Sequence, residues 1–302
     1  MKNKKKKKNT KAIVNKYLFV LSFLIVQIVC FFVFYIAVNI NSIVLAFDVP
    51  EGEKWYYNFK YFLDVASTTL PVFSSYLPNT LKFFVVEWVL LLISCVFSYF
   101  IYKKIKGYRF FRVMFFLPSI ICSTVLVMLY KKMIAVDGPI MALYTALFHP
   151  DSTPELLANS NTAMTVIMIY MLWVGFGGKI LLLGGAMARL PEDVMEYGKL
   201  EGIGAMRELF TIVLPMIWPT LSTLIIMIMT GIFTATGPIL LFTEGAYNTT
   251  TISYYIWTMV YGASSGAYPM ASAVGLFFTI VGLPIVIIVR YICNKIDSGV
   301  TY

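Results

Sequence analysis

Six long apolar runs, almost free of charge, restrict this chain more than any other feature. They cover Tyr17 to about Val38, about Leu81 to Tyr102, Phe110 to Tyr130, Thr162 to Gly184, Leu214 to Thr236, and Ala271 to Tyr291. Roughly 20 residues at about 1.5 Å rise cross the hydrocarbon layer of a bilayer. Irregular backbone facing lipid would leave its polar groups unpaired, so runs of this length are expected as helices. They are apolar on every face, whereas barrel strands alternate. The expectation is an all-α integral membrane protein of six transmembrane helices.

Composition supports this reading. Of 302 residues, 59% are apolar and 13% charged. Soluble domains carry about 25% charged residues, so this chain lacks the polar surface to coat one. The four cysteines, Cys30, Cys95, Cys122 and Cys293, lie inside apolar runs without metal-ligand spacing, and no metal is expected.

The net charge of +9 follows from where the basic residues lie. With the amino terminus in the cytoplasm, 18 of the 24 Lys and Arg residues fall on the cytoplasmic side: the tail Met1–Lys16, the turn Lys103–Arg112, the segment Ala186–Val213 and the carboxyl end. The last outer loop, Gly237–Met270, has none. The positive-inside rule therefore predicts both ends inside. The Lys-rich tail, residues 1–16, is expected as a topology anchor on anionic headgroups rather than a nucleic-acid arm. The run behind it is longer than the roughly 7–15 apolar residues of a signal peptide.

Chemistry inside the membrane is sparse. Glu87 is expected about two turns from the outer end of the second helix, in reach of water or a partner helix, and Lys179 is expected to snorkel toward the cytoplasm. No acidic or histidine relay of the kind an ion-coupled carrier needs is evident. His149, the only histidine, reads as a solvated loop residue. Hydrolase and protease motifs are missing. The Gly178-Lys179 pair lacks the first glycine and the Ser/Thr of a phosphate loop. The chain is not expected to be an enzyme or to carry a cofactor.

One inner segment stands out. Residues 190–215 hold five of the fifteen acids, Glu192, Asp193, Glu196, Glu201 and Glu208, in a connector too long for a plain turn. Pro191 followed by two acids is a helix start. Val194, Tyr197 and Leu200 can form an apolar stripe. Gly202 and Gly204 then break the helix before a second one leads to Leu214-Pro215.

Here Glu196-x-Gly198-x-x-Glu201-Gly202, nine further residues, then Ile212-x-Leu214-Pro215 resembles the EAA loop of binding-protein-dependent ABC importer permeases. Tyr197 and Gly198 stand where that family has an Ala pair. The likeness extends over about residues 78–291. Phe116-Leu-Pro118, Asp137-Gly-Pro, Trp173-Val-Gly-Phe176 and Thr243–Thr251 resemble stretches of carbohydrate-type members similar to maltose and glycerol-phosphate permeases. The resemblance implies a type I importer permease fold in the cell membrane, with six spans in residues 17–302. It implies as partners a cytoplasmic ABC ATPase dimer that binds the ATP, a second homologous permease subunit and an extracytoplasmic solute-binding protein. Glu196 and Glu201 would pair with groups in the ATPase cleft, and Gly202 would permit the turn. The aromatic and polar residues Phe242, Glu244, Tyr247, Tyr254, Tyr255 and Trp257 are candidates for the substrate pathway, because sugars present apolar faces and polar rims. An interfacial aromatic belt would carry the same residues. The other functional class open to such a chain is a secondary transporter or channel.

Overall fold

The computed structural model describes residues 2–148, 154–262 and 267–296. His149 lies outside them. Among the described residues every regular element is helical. Four helices are long and apolar enough to cross a membrane: α1 (Lys16–Ala46), α3 (Val72–Tyr102), α7 (Ala163–Met187) and α13 (Tyr268–Ile296). Two further pairs reach that length together but bend sharply at their joints.

The bends correct two expectations. The run Phe110–Tyr130 is not one helix, but α4 (Tyr108–Ile120) and α5 (Ser123–Ile134), followed by α6 (Pro139–Phe148), with a 111° bend at the joint. Ile121 and Cys122 leave helical geometry with ψ 141° and 132°. Pro118, three residues earlier, lacks the amide hydrogen that would hold the preceding turn. The run expected from Leu214 begins instead at Trp218. Leu214–Met216 ends α9 (Ala205–Met216), and α10 (Trp218–Thr230) leaves at 81°. Pro215 and Pro219 bracket the joint at Ile217, and each removes one helical hydrogen bond.

The remaining spans differ at their ends. The first continues to Ala46 rather than Val38, and the second starts at Val72 rather than Leu81. The segment between the first two apolar runs carries α2 (Tyr57–Thr68). Asn58 Nδ2 donates to the carbonyls of Ala46 and Asp48 at 3.1 and 2.8 Å, tying α2 to the end of α1.

α3 is the central helix. It packs along α7, and both meet α10. Leu91, Cys95 and Tyr99 of α3 join Leu183 and Met187 of α7 and Leu221, Leu224 and Ile228 of α10 in one apolar cluster. At the opposite end Phe83 of α3 packs with Leu126 and Tyr130 of α5 and with Ile167 and Tyr170 of α7. Outward faces stay apolar: Phe34, Leu92, Met128, Leu181 and Ile287 are all largely exposed. A surface of this kind is stable against lipid and not against water.

Close helix approach rests on small residues. A Cβ on Gly177 of α7 would lie 2.7 Å from Ser119 Oγ and 3.1 Å from the Phe115 carbonyl oxygen of α4. We predict that Gly177→Val destabilises the protein by about 1–3 kcal/mol, the usual cost of overpacking. An unchanged melting temperature in detergent would refute this contact.

Candidate functional site

The segment between α7 and α10 folds as a short helix, a tight turn and a second helix. α8 (Glu192–Leu200) starts behind Pro191 with Glu192 and Asp193 in its first turn, where the helix dipole favours acids. Its polypeptide turns at Gly202, whose φ of +69° is costly for any residue with a Cβ. Gly204 is extended and opens α9.

The residues of the sequence motif explain one another here. A Cβ on Gly198 would lie 3.2 Å from the Ile212 Cδ1, so a small residue at 198 lets α8 rest on α9. Leu209 and Val213 of α9 are fully buried in the cluster with Tyr99, and Met195 of α8 joins them. Pro215 belongs to the bend that starts α10. Glu196 and Glu201 are exposed.

The predicted stripe is split. Val194 is half-buried, whereas Tyr197 and Leu200 are 69% and 83% exposed. Met195 and Gly198 make the contact with the body of the chain. The segment therefore presents large apolar side chains, Tyr197 and Leu200 among them, several carboxylates including Glu196 and Glu201, and a glycine turn to the outside.

A cavity of about 470 Å³ opens between α3, α7 and α10. Phe84, Met171, Gly178, Met227 and Thr234 line it, and Glu87 faces Lys179 across it. Lys179 Nζ donates to Glu87 Oε2 at 2.6 Å. Glu87 thus reaches a partner helix as expected, but its place along α3 and the direction of Lys179 differ from expectation. Glu87 is at the middle of α3, because that helix starts nine residues earlier than the apolar run suggested. Lys179 does not reach for the cytoplasm. In a low-dielectric setting each charge is costly alone, and pairing removes most of that cost. The signal was present in the sequence as two lone intramembrane charges of opposite sign.

The six aromatic and polar candidates do not line this cavity. Phe242 is buried, edge-on to Tyr130 at 5.9 Å and to Tyr170 at 5.0 Å. Tyr254, Trp257 and Tyr261 form a ladder with ring centroids 5.6 and 5.0 Å apart. Tyr255 lies against Tyr76. Burial pushes the Tyr255 hydroxyl up to about 12, with Tyr76 and Tyr61 adding to the effect, and raises Tyr254, with Glu244 adding to the effect. Both hydroxyls therefore stay protonated and able to donate. Glu244 and Tyr247 are exposed on a loop where both, with Asn248, hold positive φ of 51–57°. Such geometry persists only where neighbours enforce it. Asn79 Nδ2 does so by donating to the carbonyls of Asn248 and Thr250 at 2.8 and 3.1 Å, and Lys131 Nζ donates to those of Leu241 and Phe242. Among the described residues no group of His, Cys, Asp and Glu could hold a metal.

The fold is shared with a chain of a solved bacterial ABC transporter. That transporter, involved in import of the acidic polysaccharide alginate, superposes with a TM-score of 0.77 at 19% identity, covering 95% of this chain and 99% of that one. The same score comes from an alginate transporter in complex with an alginate pentasaccharide-bound periplasmic protein. In sequence the chain is similar to the multiple sugar-binding transport system permease protein MsmF of Streptococcus mutans, 27% identical over 60% of this chain and 62% of that protein. It is also similar to the maltose/maltodextrin transport system permease protein MalF of Klebsiella aerogenes, 25% identical over 65% of this chain and 40% of that one. The chain thus matches less than two thirds of the length of either relative. No family model matches it.

The ion pair is open to a direct test. Lys179→Met leaves Glu87 unpaired and is expected to destabilise the protein by about 3 kcal/mol, whereas Lys179→Met with Glu87→Leu recovers most of the loss. Thermal melts of the detergent-solubilised variants decide it; equal melting of the single and double variants would contradict pairing.

Proposed function

We propose that this chain is a permease subunit of an ATP-driven ABC importer for a carbohydrate, an oligosaccharide in particular. It crosses the cell membrane six times, with each bent pair counted as one span and both termini in the cytoplasm. The positive-inside distribution supports that orientation. The permease region covers about residues 78–291, with the coupling segment at 190–215. ATP is bound and hydrolysed by a separate cytoplasmic ATPase dimer, a second homologous permease completes the pathway, and an extracytoplasmic solute-binding protein delivers substrate. The sugar-transport relatives and the importer fold support this division of labour.

The observation that carries the reading is the exposed pair Tyr197 and Leu200 on a helix stopped at Gly202. Large apolar side chains outside the hydrocarbon region need a protein partner, and a cleft in the ATPase is the one that fits. Glu196 and Glu201 flank them as acceptors for basic or amide groups of that cleft. Gly198, Ile212, Leu214 and Pro215 hold the knob at a fixed angle to α10, so movement of the ATPase tilts the helices attached to it.

Substrate passes the aromatic surface of Tyr247, Tyr254, Tyr255 and Trp257, with Glu244 beside it, and Phe242 supports that surface from beneath. The cavity at Glu87 and Lys179 lies further along. Its paired charges offer donors and acceptors to hydroxyls without net charge, and its apolar walls suit C–H faces.

Gly202→Val and Glu196→Lys are expected to abolish uptake while leaving membrane insertion intact. Leu200→Glu should release the ATPase on copurification, as should replacement of Glu196–Gly204 by a Gly/Ser linker. Full substrate-stimulated ATPase activity in reconstituted Gly202→Val would defeat the docking assignment. A panel of radiolabelled neutral and acidic oligosaccharides identifies the substrate class.

A further inference from the structure

Glu208 is the only charged residue among the described ones whose whole side chain is withdrawn into the protein, at 3% exposure. It lies in α9, six residues after the Gly202 turn and outside the motif that describes the segment. Its carboxylate meets the ammonium of Lys103 at 2.5 Å. Lys103 is the first residue beyond α3, and its ammonium also lies 5.7 Å from the ring centroid of the fully buried Tyr99. An acid of the docking segment is therefore tied to the end of the helix whose middle carries Glu87.

We propose that the Lys103–Glu208 pair is the strut that passes motion of the docking segment to α3 and so to the cavity. The proposal rests on the ATPase-docking reading above. Leu209 and Val213 also join α9 to α3, but apolar contacts are non-directional and tolerate sliding. A buried ion pair does not, because separating it strands a charge in a low-dielectric site. Stability gives no reason for the pair, since well-packed apolar residues usually serve as well or better. Direction does. α3 is unbroken from Val72 to Tyr102, so a push at Lys103 is felt at Glu87, about 24 Å along the axis at about 1.5 Å per residue. Lys103 and Glu208 are thus positioning residues, acting on the cavity through α3.

The test needs no knowledge of the sugar. A reporter cysteine replaces Gly178, which lines the cavity and has open space at its Cβ, in a chain whose four native cysteines are removed. In membranes holding the assembled importer, the rate of maleimide labelling is compared without nucleotide and with Mg-ATP plus vanadate. The native pair is expected to give a change of about fivefold or more, the lower end of ordinary coupling energies. In Glu208→Gln, and in Lys103→Met with Glu208→Leu, the ATPase should still copurify while that response falls below about twofold. The reversed pair, Lys103→Glu with Glu208→Lys, should recover it. The apolar double variant keeps the question answerable if the reversed pair does not accumulate.

A native-like response in the apolar double variant overturns the strut. So does loss of the ATPase from that variant, which would make the pair a support for docking. An absent nucleotide response in the native pair, with ATPase bound, overturns it as well. Failure of the native chain to copurify any ATPase overturns the docking reading and the strut together.

Discussion

Hydrocarbon offers a polar group no partner, and the whole molecule is arranged around that fact. Backbone amides are satisfied within helices. Charges inside the structure occur as pairs, Glu87 with Lys179 and Lys103 with Glu208. Both pairs involve α3 or its immediate end. An apolar helix surface can rest against its neighbours in many registers, but a helix bearing two ionic contacts has one register that satisfies both. α3 thereby gains a fixed relation to α7 at its middle and to α9 at its end, which is what a transmitting element requires.

The same constraint turns the connector between α7 and α10 into something more than a spacer. Its motif residues divide between inward and outward tasks. Gly198 against Ile212, with Met195, Leu209 and Val213 beneath, seats the segment on the bundle. Tyr197, Leu200, Glu196 and Glu201 remain outside. A segment that only linked two helices would gain by burying all its large apolar residues, yet here Gly198 is turned inward on α8 while Tyr197 and Leu200 of the same helix stay outside. That inversion gives the spacing of Glu, Gly, Ile, Leu and Pro a physical meaning.

Much of this architecture is legible in the sequence. The helical class and the turn at Gly202 follow from run length and glycine chemistry, and the segment 190–215 stood out through its acids. What the sequence concealed depends on breaks and partners. Hydropathy is blind to the 111° bend after Pro118 and to the 81° bend between Pro215 and Pro219, because residues on both sides of each joint are equally apolar. The true start of α3 at Val72 was masked by the polar residues Ser74, Ser75 and Asn79, and this error displaced Glu87 from the middle of its helix to near its end. Glu208 reads in the sequence as one acid among five, since a linear pattern carries no sign that Lys103 lies opposite. Phe242 packs into the Tyr130–Tyr170 cluster together with Tyr254, a contact that proximity along the chain does not reveal.

The placement of the prolines separates rigid parts from joints. α1 has no proline, α3 runs on through Pro78 to Tyr102 without a break, and α13 keeps its helix through Pro284. The two sharp bends lie instead within four residues of Pro118, Pro215 or Pro219, and one of them sits where α9 hands over to α10. A force applied to α8 and α9 meets a joint on one side, at Ile217, and an ion pair to a continuous helix on the other, at Lys103. The joint lets α10 change its angle, while Trp218 Nε1, which donates to the Cys293 carbonyl at 3.0 Å, keeps its near end on α13. The ion pair couples α3 to the same displacement. The cavity lies between α3, α7 and α10, so under the proposed docking its width is set by two helices held in different ways: α10 through the joint at Ile217, α3 through the Lys103–Glu208 pair.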